Sequence, residues 1–221
     1  MKPCLIFDLD GTLVDALPAI AASLNRTLGT HGLPVHSHAA IRSFIGGGLH
    51  MLIQRAVSTG TDPTVIDSLV ALYKKDYELT WPEGSLVYPG VHEMLETLQQ
   101  GGYPLAVLSN KVHDFTVATI RTLFSNIQFT AVLGQRDGIP HKPDPAGALQ
   151  LSTTFGTAPA SCVIIGDSSV DLETAANAGM PAIIVTWGYH DRADLLTAGA
   201  TQLIDHPSVL PGLLLKIGDG N

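Results

Sequence analysis

Asp8 and Asp10 stand two residues apart, behind the apolar run Cys4-Leu5-Ile6-Phe7 and ahead of Gly11. Two acids so close repel each other unless a cation or a shared proton relieves them. The run before them has the length and composition of a strand buried on both faces. Gly11 lets the backbone turn sharply after it. A carboxylate nucleophile beside a carboxyl acid/base, held by a divalent metal, is the chemistry this arrangement suits. Asp-Gly is also an ordinary turn pair, so these residues alone do not decide the matter.

Three more groups of polar residues follow apolar runs further along the chain. Ser109-Asn110 offers a hydroxyl to a phosphoryl oxygen. Lys142, before Pro143-Asp144-Pro145, supplies positive charge against charge developing on phosphate. Asp167, in Gly166-Asp167-Ser168-Ser169-Val170-Asp171, completes an oxygen-rich site for Mg²⁺, a hard cation that prefers carboxylates, waters and phosphate. Asp171 is placed to hold Lys142 or a metal-bound water. Each group has a plain structural alternative: Ser109 as a helix cap, Lys142-Pro143 as a solvated loop, Ser168 and Asp171 as a capping box. Together with Asp8 as nucleophile and Asp10 as acid/base, they read as a phosphoryl-transfer site.

The elements that must position these residues alternate. Strands are expected at Cys4–Phe7, Leu105–Leu108, Ala131–Leu133, Cys162–Ile165, Ala182–Thr186 and Leu203–Ile204, with helices between them. Such alternation implies an α/β fold, a doubly wound parallel sheet with a Rossmann-like core. Sites in these sheets form at the carboxyl ends of the strands. Between the first two strands the pattern is helical throughout, with no strand candidate from Asp15 to about Trp81. Helices are expected over 18–28, from Ser37 through Phe44, over 49–57, and from Asp62-Pro63 onward. The domain division that follows is a core of 1–14 and 84–221, with an inserted all-helical cap at 15–83.

Composition narrows the partners. The chain has 221 residues, 45% hydrophobic and 14% charged, with a formal net charge of −8. That supports a large core and argues against long disorder. No Lys/Arg cluster stands out, so nucleic acid and anionic membranes are not expected partners. Cys4 and Cys162 read as buried free thiols of a reducing compartment. No signal peptide and no stretch long enough to span a bilayer is visible, so a soluble cytoplasmic protein is expected.

Placed in order, the four groups of residues resemble the four motifs of the haloacid dehalogenase-like hydrolase superfamily, over nearly the whole chain. The insertion between the first two resembles its helical-cap subclass. Within that subclass the chain is most similar to bacterial phosphoglycolate phosphatases. The stretches that carry this are Arg42-Ser-Phe-Ile-Gly-Gly-Gly48, Gln54-Arg-Ala-Val57, Ser109-Asn-Lys111, Gly134-Gln-Arg-Asp-Gly-Ile-Pro-His-Lys-Pro-Asp-Pro145 and Val185-Thr-Trp-Gly-Tyr189. The resemblance implies an aspartyl-phosphate on Asp8. It implies Mg²⁺ bound by Asp8, Asp167 and the backbone carbonyl of Asp10, with Thr12 and Asp171 supporting from behind. An acid at Asp10 argues for a phosphatase or phosphomutase rather than a dehalogenase. Ala16 replaces a serine common in relatives, and the run at 46–48 is richer in glycine than usual.

Selectivity is expected to lie in the cap. Arg42 and Arg55 are its candidate cations for a substrate carboxylate, with Lys111 a third from the core side. Asn110 lies beside Ser109 in the same substrate-facing group. Gly47, at the centre of the glycine run, is placed to bring backbone N–H groups to an anionic tail; a plain hinge is the alternative. The substrate expected is a small phosphorylated metabolite, 2-phosphoglycolate first. Another small phosphate ester or pyrophosphate, a hexose-phosphate mutase, and a non-catalytic binding protein are the alternatives. Monomer and homodimer both remain open.

Overall fold

Residues alternate across the first strand, β1 (Cys4–Phe7), and all four are buried. Leu5 and Phe7 join one apolar cluster, while Cys4 and Ile6 join another. Period-two alternation with both faces apolar is what a central strand between two helical layers requires. The computed structural model describes residues 2–218.

β1 pairs in parallel with β4 (Leu105–Val112) on one side and with β6 (Cys162–Gly166) on the other. Beyond β4 lies β5 (Ala131–Gln135); beyond β6 lie β7 (Ala182–Val185) and β8 (Leu203–Ile204). All five pairings in this six-stranded sheet are parallel. The chain runs outward from β1 first in one direction, to β4 and β5, and then in the other, to β6, β7 and β8. β1 is therefore where the winding reverses, and a crevice opens at the carboxyl ends there.

One face of the sheet packs on α5 (Val91–Gln100), α6 (His113–Leu123) and α10 (Val209–Gly218), through Met94, Leu98, Ile120 and Leu210. The other packs on α7 (Ala146–Phe155) and α8 (Ser169–Ala178), through Ala148, Leu151 and Ala175. A shorter helix, α9 (Arg192–Thr197), covers β7 with Leu195. Cys4 and Cys162 sit opposite each other in the β1–β6 register, and both are free and buried, as expected.

Residues 17–80 form four helices: α1 (Leu17–Thr30), α2 (His38–Phe44), α3 (Leu49–Ala56) and α4 (Pro63–Thr80). Their starts follow local chemistry. The Ser37 side chain accepts from the Ala40 N–H, and the Asp62 side chain accepts from the Thr64 N–H, with Pro63 where no N–H is needed. α1 packs against α4 and α2, and α3 against α2 and α4.

The structure differs from the sequence-based expectation in three places. Asp15 lies in a strand, not in an all-helical run. β2 (Val14–Asp15) pairs antiparallel with β3 (Leu86–Val87), tying the chain's entry into the helices to its exit. Two residues are too few to show period-two alternation. β4 does not stop at Leu108 but continues through Ser109-Asn110-Lys111 to Val112, because Val112 still pairs with Gln135 across a register shift. Pairing with a neighbour overrides the polar residues that ordinarily end a strand. α9 and α10 were not anticipated; each is short or lies against a loop-rich end of the chain.

One apolar cluster runs without interruption from the sheet (Phe7, Val107) through α1 (Leu24) to α4 (Leu69). Leu69 is fully buried. Leu69→Ala is expected to cost about 2–5 kcal/mol and to lower the melting temperature by on the order of 10 °C. Because the cluster is continuous, the loss should move a single calorimetric transition; a separate early transition would contradict that continuity.

Candidate active site

Four segments meet at the crevice beside β1. Asp8 follows β1 directly. Ser109, Asn110 and Lys111 come from the last turns of β4, Lys142 from the loop between β5 and α7, and Asp167 from the exit of β6. They line a cavity of roughly 750 Å³, counted with the space open at its mouth. The opposite wall comes from α1, α3, α4 and the Gly46–Gly48 turn.

Asp8, Asp167 and Asp171 each bring a carboxylate oxygen within 4.8 Å of the others. One ammonium faces them. Lys142 Nζ lies 3.0 Å from Asp8 Oδ1 and 2.7 Å from Asp171 Oδ1, with its side chain 5% exposed. Lys142-Pro143 is therefore not a solvated loop. Its peptide bond is cis. Asn110 fixes the lysine's backbone, accepting from the Lys142 N–H (2.8 Å) and donating to the Lys142 carbonyl (3.0 Å).

Asp171 serves two purposes at once. Its Oδ2 accepts from the Ser168 N–H (3.2 Å) and hydroxyl (2.6 Å), while the Ser168 hydroxyl accepts from the Asp171 N–H (3.3 Å). That is the capping box that starts α8. Its Oδ1 remains for Lys142. The capping and lysine-holding readings of the sequence both hold.

Asp167 is held from behind. The Tyr189 N–H donates to its Oδ2 at 2.7 Å, and the Thr12 hydroxyl donates to its Oδ1 at 3.3 Å. Gly11 and Gly188 make room for it. Gly11 has φ +89°, and a Cβ at either glycine would collide with the Asp167 carboxylate.

The Asp10 carboxylate is separate from this cluster. Lys111 Nζ donates to both of its oxygens at 3.0 Å and to the Tyr77 hydroxyl at 2.7 Å. Asp10 and Lys111 are largely buried, with side chains 13% and 8% exposed. A β4 lysine thus bridges the β1 loop to α4. The Ser109 hydroxyl, also buried, accepts from the Lys111 N–H at 3.2 Å, which leaves its own proton free to donate.

The expected cap cations are not in the cavity. Arg42 donates to the Tyr189 carbonyl and pairs with Asp191 at 3.0 Å. Arg55 donates to the Phe44 carbonyl at 3.0 Å. Gly46 and Gly48 line the cavity, but Gly47 does not. The Gly46 carbonyl accepts from Asn110 at 2.8 Å, so this turn offers an acceptor to the core. Among the described residues only Lys111 and Lys142 bring a lysine or arginine to the lining.

Sequence reasoning did not single out Tyr77, Ser168, Tyr189 or His190 as cavity residues, and all four line it. Tyr77 lies on the buried face of α4 with Ile66, Leu69 and Tyr73. A hydroxyl on such a face needs a partner, and that was the available signal. Tyr189 and His190 lie on a loop with no periodicity. His190 Nδ1 stands 3.6 Å from Asp167 Oδ2, a charge contact rather than a hydrogen bond; this carboxylate holds the imidazole pKa above its usual value.

Burial, helped by the charges of Asp171 and Asp167, raises the Asp8 pKa to about 7 against the opposing pull of Lys142. Burial alone would lower the Lys142 pKa, but Asp171 and Asp8 beside it raise it above the usual value. Three carboxylates facing one ammonium leave negative charge uncompensated. The donors are all hard oxygens, and Asp8 Oδ2 makes no hydrogen bond among the described residues. The set therefore fits a divalent cation of the magnesium type, with Asp8 and Asp167 as its side-chain ligands and Asp171 committed to Lys142.

A family model described as haloacid dehalogenase-like hydrolase matches residues 5–185. A phosphoglycolate phosphatase from Mesorhizobium japonicum is 34% identical over 194 residues, covering 86% of each chain. One from Rhodobacter capsulatus is 36% identical over 218 residues, covering 97% of each. Among solved structures, a chain from Lactobacillus delbrueckii subsp. bulgaricus superposes with a TM-score of 0.91 at 27% identity, over 97% of this chain and 99% of that one. A haloacid dehalogenase-like family hydrolase from Streptococcus pneumoniae gives 0.82 at 26% identity, over 96% and 98%.

The electrostatics carry a measurable consequence. Between the ordinary aspartate pKa near 4 and about 7, the folded metal-free protein holds a proton on Asp8 that the unfolded chain has lost. Stability from this group is full below that window and falls as pH rises through it. Asp8→Asn removes the effect while keeping the side chain's shape. At pH 8 in EDTA the variant should melt above the parent, by on the order of 5 °C, and the gap should shrink by pH 5. An unchanged gap across that range would show that Asp8 ionises freely in the fold.

Proposed function

The chain belongs to the haloacid dehalogenase-like hydrolases, and we propose that it is a magnesium-dependent phosphatase of small phosphate monoesters, acting through an aspartyl-phosphate on Asp8. The observation that carries this reading is the Asp8–Asp167–Asp171 carboxylate cluster around Lys142, with Asp10 held apart from it. The cluster suits a nucleophile and a cation; the separate acid suits proton transfer. The relatives named phosphoglycolate phosphatase make 2-phosphoglycolate the first substrate to test.

In this proposal Asp8 attacks phosphorus and the bond from phosphorus to the ester oxygen breaks. Asp10 gives its proton to that oxygen, releasing the alcohol. Asp10, now a carboxylate, takes a proton from water as the water attacks the phosphoryl group on Asp8. Phosphate leaves, and both aspartates return to their starting states. Lys142 lies against Asp8 and neutralises charge on the phosphoryl oxygens, while the Ser109 hydroxyl has a proton to donate to one of them. Lys111 holds the Asp10 carboxyl in place at 3.0 Å. A magnesium ion held by Asp8, Asp167 and the Asp10 carbonyl would supply the charge that lets a carboxylate approach a phosphate dianion.

Residues 15–83 act, on this reading, as a cap over the site, meeting the core where Asn110 reaches Gly46 and Lys111 reaches Tyr77. Arg42 and Arg55, expected as substrate cations, act instead within the protein, and Lys111 is the cation nearest a substrate's second charge. The buried free thiols support a reducing, cytoplasmic setting. No helix of the described residues is long and apolar enough to cross a membrane.

Phosphate release from 2-phosphoglycolate should require Mg²⁺ and stop with excess EDTA. Asp8→Asn should reduce it to background, and Asp10→Asn should lower kcat by about 10²–10⁴-fold. Retained turnover in Asp8→Asn would remove the covalent mechanism. Turnover unaffected by EDTA would remove the metal.

A further inference from the structure

The cavity has two unlike halves. Its floor carries Asp8, Asp10, Ser109, Lys111, Lys142 and Asp167. Its walls carry Ile20, Ile45, Leu49, Leu52, Tyr73 and Phe115. Ile20, Leu52 and Tyr73 belong to the buried core, while Ile45, Leu49 and Phe115 pack against it part-buried. The two lysines of the lining sit on the floor, already paired with carboxylates, and the one histidine of the lining, His190, stands beside Asp167. Arg42 and Arg55 face away, each donating to a backbone carbonyl. A two-carbon substrate such as 2-phosphoglycolate engages the floor and leaves the apolar walls without a partner.

We propose that these walls receive an apolar carbon skeleton on the alcohol side of the ester, so that the enzyme takes phosphate monoesters of apolar alcohols longer than glycolate. This rests on the phosphatase reading of the same site. The bond broken is unchanged: the ester oxygen leaves as the protonated alcohol, and phosphate leaves after water attack. The phosphoryl group reaches Asp8 only at the floor, so the rest of the molecule must extend toward Leu49, Leu52 and Phe115. Each methylene that passes from water onto such a wall adds selectivity of about three- to fourfold. A carboxylate placed there would meet no cation and would lose its hydration.

The test is kcat/KM with Mg²⁺ for ethyl, butyl and hexyl phosphate, beside 2-phosphoglycolate. The expected result is a rise of about threefold per methylene from ethyl to butyl phosphate. Leu49→Asn and Phe115→Ala should flatten that rise. Leu49→Arg should shift the ratio toward 2-phosphoglycolate, since it supplies the missing wall cation. Leu79→Asn, at a position 81% exposed and outside the lining, should change none of these ratios. A flat or falling alkyl series, with 2-phosphoglycolate still hydrolysed, overturns the proposal and leaves the phosphatase reading intact. No turnover of any ester overturns both.

Discussion

The Lys142 ammonium, buried between Asp8 and Asp171, is the contact on which the site depends. An ammonium and carboxylates taken out of water are costly unless they meet with good geometry and further hydrogen bonds. Here every member is held by something else. Asp171 is locked into the first turn of α8 by Ser168, Lys142 is fixed through its backbone by Asn110, and Asp8 accepts from the Leu9 N–H. The contact therefore links the end of β1, the loop after β5 and the first turn of α8, and moving any one of them would leave a charge unpaired. One ammonium does not balance three carboxylates. That imbalance, held rigidly by the sheet, is what fits the cluster to the cation of the proposed mechanism.

The second link, Asp10–Lys111–Tyr77, joins the sheet to the helices. It keeps Asp10 out of the carboxylate cluster, so two aspartates separated by one residue have different surroundings. It also brings α4 down onto the site, where Tyr77 stacks on Tyr73 and leans on Phe115, with centroids 5.3 and 5.1 Å apart. The same tyrosine that completes a polar contact forms part of an apolar wall. Polar floor and apolar wall are thus one construction.

Much of this was legible in the residues. Asp8, Asp10, Ser109 and Asp167 stand at the ends of apolar runs and Lys142 follows one after a loop, and in a parallel sheet those ends must converge. The helices of 17–80 were readable from caps such as Ser37 and Asp62, where side chain and backbone interact over a few residues. What escaped were features that depend on distant partners. β2 and β3 exist because the two ends of the helical segment meet. β4 runs past Ser109 because β5 lies alongside. That Arg42 and Arg55 donate to backbone carbonyls and lie outside the cavity lining was not legible, because a charge in sequence carries no direction.

Local chemistry in the chain was enough to establish the alternating α/β order, the strand-end acids and lysine, and the phosphoryl-transfer character they share. Those follow from residue type and short spacing, which act within a turn of helix or a few residues of strand. Which acid joins the lysine and which stands apart, and which cations reach the cavity, depends on side chains more than a hundred residues apart, as with Asp10 and Lys111. So does the apolar wall opposite the charges. Only packing brings α1, α3 and α4 against the sheet, and only that approach decides what the cavity excludes.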